Sequence, residues 1–249
     1  MNTITALTAP DVRAAFRRDG YAELGRLLEP GEVRAYLKIY DRFLNGEIHC
    51  GTKRCDLAGE DRPDGAPERI TQIMWPSVLA PELLDLPLHG RALALARELI
   101  GPDAEFDFDM LINKAPGTDT VTPWHQDISY EIDLPDQREA SIWVALDEAV
   151  LDNGCMWYIK GSHLGPVRPH RQAGTGYALE CDGSETDPGA TWVELEPGFA
   201  AAHGGRTLHY SRGNTTPDRQ RRAYFLNFRP AAMVALERRE GMDHGLAQT

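Results

Sequence analysis

Pro123-Trp124-His125-Gln126-Asp127 carries an imidazole and a carboxylate two residues apart in a segment that reads as a β-strand. Side chains alternate along a strand, so His125 and Asp127 fall on one face. Such a pair supplies two legs of a 2-His-1-carboxylate triad, the arrangement that holds non-haem Fe(II) and leaves coordination positions open. Any surface strand can carry His-x-Asp. The weight of the reading therefore rests on whether the remaining chain brings a second imidazole to this point.

Outward from this stretch, the C-terminal side reads as a series of short strands. Phe106-Asp107-Phe108-Asp109-Met110-Leu111-Ile112-Asn113-Lys114 alternates and then runs apolar, and a Gly/Pro/Thr loop separates it from the strand at 124–127. Further short strands are expected over 140–145, 155–159, 192–195, 199–203, 207–211 and 222–229. Asp152-Asn153-Gly154 and Gly161-Ser162-His163 mark turns between them, and residues 168–190 form a polar stretch. The N-terminal side reads mainly as helix. Thr8-Ala9-Pro10-Asp11 has the hydroxyl cap, first-turn proline and acid of a helix start, with Gly20 as its stop. A short strand follows over 21–28. Glu29-Pro30-Gly31-Glu32 then opens a second helix, whose Val33, Tyr36, Leu37, Tyr40, Phe43 and Leu44 recur at helical spacing. Residues 46–67 break all periodicity and read as a long loop, either an insertion or a lid. A strand over 69–74 and a helix within 81–100 complete this half. Helices followed by regularly spaced short strands argue for a mainly β fold of jelly-roll type with flanking helices. No linker or repeat divides the chain, so one domain is expected over 1–249, with 1–104 a mostly helical layer packed on a jelly roll of 105–230.

The 249 residues are 42% hydrophobic, enough for one sizeable core, and carry a formal net charge of −12. That balance argues against nucleic acid and anionic membranes as partners, since both select basic surfaces. There is no signal-like N-terminus and no apolar run of membrane-spanning length, so the expected location is the cytoplasm. Cys50, Cys55, Cys155 and Cys181 are sparse and unpatterned, which suits a reducing compartment. His49, Cys50 and Cys55 have zinc-like spacing but lack a second ligand pair, and are read as loop or core residues. Nothing in the sequence sets the oligomeric state.

For the third ligand, His209 in Leu208-His209-Tyr210-Ser211 is the best candidate, with His203 its rival; His163 sits on a turn and is read as structural. Ser211 shares the strand face of His209, and Arg219, Arg221 and Arg222 lie about one hairpin downstream. Three protein ligands leave about three octahedral positions free. A 2-oxo diacid could chelate through two of them and O2 could take the last. Its far carboxylate then needs a fixed cation, and a guanidinium fork provides one bidentately.

At this point the chain resembles the phytanoyl-CoA dioxygenase (PhyH) family of Fe(II)- and 2-oxoglutarate-dependent oxygenases. The resemblance runs from Phe16-x-x-Asp19-Gly20-Tyr21 through Met110-Leu111-Ile112-Asn113-Lys114 and Trp124-His125-Gln126-Asp127. It continues through Trp143-Val144-Ala145-Leu146-Asp147, Asn153-Gly154-Cys155-Met156-Trp157 and Gly161-Ser162-His163. It ends with His209-Tyr210-Ser211-x-x-Asn214 and Arg221-Arg222-Ala223. It implies a double-stranded β-helix (jelly roll, cupin-like) with Fe(II), 2-oxoglutarate and O2 as its reactants. His125, Asp127 and His209 would be the iron ligands, and Arg221 would hold the distal carboxylate of 2-oxoglutarate with Ser211 beside it. Trp143, Met110 and Gln72 would line the co-substrate pocket. The substrate would be a small organic molecule oxidised, in the first instance hydroxylated, at an unactivated C–H, with succinate and CO2 released and secondary metabolism as the setting. Ile128, Tyr130, Trp157, Phe225 and the 46–67 loop are expected to face it. Gln126, between two ligands, should point the other way.

This sequence departs from the family pattern at two places. The turn Asn214-Thr215-Thr216-Pro217-Asp218-Arg219-Gln220-Arg221 is one residue longer than the common form, which leaves Arg219 and Arg222 open as anchors. Gly198-Phe199 replaces the usual Gly-Asp before the last ligand strand, which is read as a change of turn chemistry only. Because Asp127 is present where related halogenases carry a small residue, halogenation is disfavoured. Two other classes remain compatible: a jelly-roll metalloenzyme that does not use 2-oxoglutarate, and a catalytically silent cupin-like binding protein.

Overall fold

A computed structural model of the protein describes residues 10–59, 61–63, 65–174 and 176–247. The helix start expected at Thr8 lies outside the described residues; the helix itself is α1 (Pro10–Asp19). It is followed by β1 (Tyr21–Arg26), α2 (Pro30–Leu44), β2 (Arg54–Asp56), β3 (Ile70–Met74), a short α3 (Pro76–Leu79) and α4 (Leu88–Ile100). Then come β4 (Ala104–Lys114), β5 (Thr122–His125), β6 (Ala140–Ala145), β7 (Met156–Ile159), β8 (Arg171–Gln172) and β9 (Leu179–Glu180). β10 (Ala190–Val193), β11 (Phe199–His203), β12 (His209–Ser211), β13 (Arg221–Pro230) and α5 (Ala231–Arg239) end the series.

Two antiparallel sheets face each other in the jelly roll. The larger has seven strands in the order β1-β11-β6-β13-β4-β3-β2, and the smaller has four in the order β10-β7-β12-β5. Alternation along the strands of the larger sheet sorts its side chains into two cores. Ile142 and Val144 of β6, Ala200 and Ala202 of β11, and Tyr224, Leu226 and Phe228 of β13 pack outward against Tyr36, Tyr40 and Phe43 of α2 and Leu88, Ala92 and Leu99 of α4. Their neighbours Trp143, Ala145, Ala201, Ala223 and Phe225 face inward and meet Met156, Tyr158 and Val193 of the smaller sheet. With both faces covered, every position of β6 is buried.

The helical layer is locked on by polar contacts at its rim. Glu32 accepts a hydrogen bond from the backbone N–H of Glu29 at 2.8 Å, closing the first turn of α2. The same carboxylate takes a two-pronged contact from Arg91 of α4, at 2.6 and 2.8 Å. At the turn into β11, Gly198 has φ +87° and its carbonyl accepts the N–H groups of Leu27 and Leu28. A Cβ there would lie 2.2 Å from the Leu28 carbonyl oxygen, so the glycine of the Gly198-Phe199 departure is required by close backbone approach.

Several expectations change. The strand expected over 124–127 ends at His125, and Asp127 opens a 3-10 turn, Asp127–Tyr130. Residues 46–67 are not loop throughout: β2 pairs with β3 at the edge of the larger sheet. There buried Asp56 accepts the N–H groups of Ala58, Arg69 and Ile70. The polar stretch 168–190 contains the β8–β9 hairpin, and α5 follows the last strand without having been anticipated. The region before residue 105 contributes β1, β2 and β3 to the larger sheet as well as its helices.

Leu226→Ala should cost about 2–5 kcal/mol, the usual range for emptying a fully buried leucine site, because Leu226 is wholly enclosed between β13 and the helices. A lowered urea midpoint with an unchanged denaturant slope is the expected result.

Candidate active site

β12 lies between β7 and β5, and its register sets His209 directly opposite His125. The two imidazoles are cross-strand neighbours with ring centroids 4.1 Å apart. Each is oriented by a carbonyl two residues back: Nδ1 of His125 donates to Pro123 O at 2.7 Å, and Nδ1 of His209 donates to Thr207 O at 2.9 Å. A carbonyl can only accept, so both rings keep the proton on Nδ1 and present the Nε2 lone pair to the site. Although the ladder stops at His125, Gln126 remains extended (φ −125°, ψ 123°), so Asp127 still returns to the face of His125. Oδ1 of Asp127 lies 3.4 Å from Nε2 of both histidines. These three side chains form a group able to hold a metal ion, their ligand atoms all within 4.8 Å of one another.

The other oxygen of the same carboxylate is held by the facing sheet. Oδ2 accepts from Nε2 of His203 on β11 at 3.1 Å and from Oγ of Ser141 on β6 at 3.4 Å. His203 therefore uses its Nε2 proton on Asp127 and serves as an orienting partner, while His209 presents a free lone pair. Burial drives the Asp127 carboxyl upward, but His209, His125 and His203 around it more than reverse this and hold it well below the usual range. Burial and the neighbouring His125 keep His209 well below the usual imidazole range, so it is neutral, the form that binds metal.

Beyond this centre opens a cavity of about 680 Å³, lined among others by Gln72, Met110, Trp143, Ser211 and Arg221, the five residues expected around the co-substrate. Arg221 is 1% exposed, donates to Ser211 Oγ at 3.3 Å and lies 5.3 Å over the Trp143 ring. Its Nε has no hydrogen-bond partner, and no carboxylate among the described residues pairs with it. Burial lowers its pKa to about 10, which leaves it charged at neutral pH. The two alternative arginines are engaged elsewhere: Arg219 with exposed Glu148 at 2.8 Å, and Arg222 with Asp147 at 2.8 Å and with Asp41. The lengthened turn before Arg221 is tied from within by Asn214. Its amide donates to the carbonyls of Lys114 and Arg219, and its oxygen accepts from the N–H and hydroxyl of Thr216. Lys114, opposite Arg221 in the β13–β4 ladder, donates to the carbonyls of Thr120, Ser211 and Arg212.

Other candidates lie elsewhere. Gln126 points away from the centre, bonding Arg206 O at 2.6 Å and Arg168 N at 2.8 Å. His163 bonds Arg17 O on the outer side of β1's entry turn. Tyr130, Phe225 and part of the 46–67 segment (Thr52, Arg54, Leu57) line the cavity. Trp157 does not, since β7 alternates and sends Met156 and Tyr158 inward while Trp157 packs outward against Trp192. Ile128 is likewise absent from the cavity wall. The sequence reading gave no role to Ser141, Asn214, Glu131, Asn227 or His244. The last three line the cavity, and only their place in the fold reveals it. No helix among the described residues is long and apolar enough to cross a membrane.

A facing pair of antiparallel sheets with a two-histidine, one-carboxylate group at one end of an Arg-floored cavity defines the jelly-roll class of 2-oxoglutarate-dependent enzymes. Within it, the chain belongs to the family described as phytanoyl-CoA dioxygenase (PhyH), whose sequence profile matches residues 16–223. This family uses Fe(II), 2-oxoglutarate and O2. The chain is similar to EvdO2 from Micromonospora carbonacea var. aurantiaca in complex with 2-oxoglutarate, at 34% identity and TM-score 0.73, covering 90% of this chain and 91% of that one. It is 32% identical to phytanoyl-CoA dioxygenase of Arabidopsis thaliana over 90% of this chain and 89% of the relative. It is 31% identical to phytanoyl-CoA dioxygenase domain-containing protein 1 of Bos taurus over 49% of this chain and 44% of the relative. The match thus spans less than half the length of that bovine protein.

In an anaerobic Co(II) titration, His209→Ala should abolish tight binding at the His125–Asp127–His209 group. His203→Ala should weaken it about 10–100-fold, the usual effect of losing a partner that orients a ligand. Equal losses in the two variants would place His203 among the ligands.

Proposed function

We propose that the chain is an Fe(II)- and 2-oxoglutarate-dependent dioxygenase that hydroxylates an unactivated C–H of a small organic molecule, acting in the cytoplasm as one domain. The observation that carries this reading is Arg221: a buried guanidinium with no carboxylate partner, sharing one cavity with the His125–Asp127–His209 group. A buried unpaired cation calls for an anion, and a diacid that reaches both the metal and Arg221 meets that demand.

In this reading His125, Asp127 and His209 would hold Fe(II) through two imidazole nitrogens and a carboxylate oxygen. Fe(II) with 2-oxoglutarate and O2 supplies the oxidising power, and 2-oxoglutarate leaves as succinate and CO2. The chain's own residues do the positioning. Arg221 and Ser211 grip the far carboxylate by charge-assisted hydrogen bonds. Trp143, Met110 and Gln72 bound the space along the 2-oxo acid, and Trp143 stacks beneath the guanidinium. His203 and Ser141 keep the Asp127 carboxylate from rotating. Met74, Phe108 and Phe225 give the remaining cavity an apolar wall that excludes water and seats an organic substrate, and placement of one C–H against the metal selects the reaction. The absence of a disulfide among the described cysteines is compatible with a reducing compartment.

Anaerobic addition of Fe(II) and then 2-oxoglutarate should give the weak visible charge-transfer band of a chelated keto acid. Arg221→Ala should raise the 2-oxoglutarate concentration needed for half-formation by about 10–150-fold, equivalent to about 1.5–3 kcal/mol for hydrogen bonds to a charged group. Arg221→Lys should recover only part of this, since an ammonium lacks the fork. Iron binding without a band would favour a 2-oxoglutarate-independent metalloenzyme, and failure to bind iron would remove the enzymatic reading.

A further inference from the structure

A second cluster of ionisable side chains lies beside the cavity, under the C-terminal end of the chain. Asp107 comes from β4, Glu237 from α5 and His244 from the segment after α5. The side chains of Asp107 and Glu237 are fully buried and that of His244 is 8% exposed. Their ligand-type atoms all lie within 4.8 Å of one another. Neither oxygen of Glu237 has a hydrogen-bond partner, nor does Oδ2 of Asp107 or Nε2 of His244. Four side-chain atoms from three elements therefore converge without a well-formed hydrogen bond, although Arg229 Nε and His244 Nε2 lie 3.2 and 3.4 Å from Asp107 Oδ2, a combination that buried polar groups ordinarily avoid.

Charge points the same way. Nε of Arg229 lies 3.2 Å from Asp107 Oδ2 and 3.9 Å from Glu237 Oε2, and its Nη2 faces Glu131 and, at 2.9 Å, Glu139. Arg238 pairs with Oδ1 of Asp107. Asp107, Glu131, Glu139 and Glu237 thus stand against Arg229, Arg238 and the His244 imidazole, four carboxyl groups to two guanidiniums. One divalent ion would balance the surplus of carboxyl groups and give both Glu237 oxygens a partner.

We propose that Asp107, Glu237 and His244 form a second metal site, separate from the His125–Asp127–His209 group, for a divalent transition ion, with Zn(II) as the best match. One imidazole and two carboxylates suit Zn(II), which accepts three protein ligands. Ca(II) asks for six or more oxygens and Mg(II) for an octahedron of them. The surroundings are those of a braced ligand set. Arg238 fixes Oδ1 of Asp107 and leaves Oδ2 for the ion, and the His244 ring stacks on Phe108 at 4.1 Å. Trp75 Nε1 donates to the carbonyls of Asp243 and His244, each at 3.1 Å. An ion here joins α5 and the C-terminal segment to β4 and fixes His244, part of the cavity wall. This proposal is independent of the oxygenase reading.

The test is competitive Zn(II) titration of the chelator-treated full chain against a chromophoric chelator. Wild type should bind two Zn(II) per chain. The double variant His125→Ala/His209→Ala should bind one, and Glu237→Gln should also bind one while keeping the Fe(II)–2-oxoglutarate band. A Glu237→Gln chain that binds as many equivalents as wild type (an adventitious ion elsewhere), or a His125→Ala/His209→Ala chain that binds none, overturns the proposal. Should the double variant not fold, the comparison of wild type with Glu237→Gln decides alone. Should Glu237→Gln not fold, His244→Ala takes its place, with the same loss of one equivalent expected.

Discussion

The Asp127 carboxylate is shared between two sheets. Oδ1 faces the histidines of the smaller sheet, while Oδ2 is held by His203 and Ser141 of the larger one. A carboxylate is one of the few groups that can be gripped from opposite sides at once, because each oxygen has its own lone pairs. The spacing of the two sheets, the register of β12 against β5 and the ring orientations of three histidines all meet at this residue. A shift of either sheet would break contacts on one of its oxygens. The centre is therefore a joint of the fold as well as a site within it.

At the other end of the cavity the same logic runs with the sign reversed. Arg221 is enclosed by Ser211, Trp143 and the Asn214-tied turn, and its charge meets no carboxylate among the described residues. Such a group is costly unless something anionic joins it. Its cost is tolerated because β13 lies at the middle of the larger sheet, anchored on one side by β6 and on the other by β4. If Arg221 anchors the co-substrate as proposed, part of the binding energy is in this way stored in the folded chain before the co-substrate arrives.

The sequence made His125, Asp127, His209 and Arg221 visible because each sits in a short motif at a characteristic place in the chain order. The larger strands were equally visible, as β11 shows, since runs of five to ten residues are long enough to display period two. Legibility failed where an element is too short to have a period. β2, β8 and β9 have only two or three residues each and were absorbed into apparent loops. It failed also where neighbours in space are far apart in sequence. His203 could be named as a rival ligand, but its hydrogen bond to Asp127 depends on the distance between sheets, which no local pattern encodes. Trp157 was assigned to the cavity from its aromatic character, whereas the alternation of β7 turns it outward. The Asp107–Glu237–His244 cluster left no trace in the sequence reading, because α5 was not anticipated and its glutamate reads there as one more surface charge.

β13 divides its duties residue by residue. Tyr224, Leu226 and Phe228 hold the helices, while Phe225 and Asn227 border the cavity between them. Adjacent residues on one strand thus answer to separate selective demands, one set to stability and the other to what the cavity admits. Replacing a cavity-facing side chain such as Phe225 changes the cavity's volume and polarity on the face of β13 opposite the helical layer. A scaffold wired in this manner can drift from one substrate to another by small steps along a single strand, and its lineage can diversify chemically while the fold stays in place.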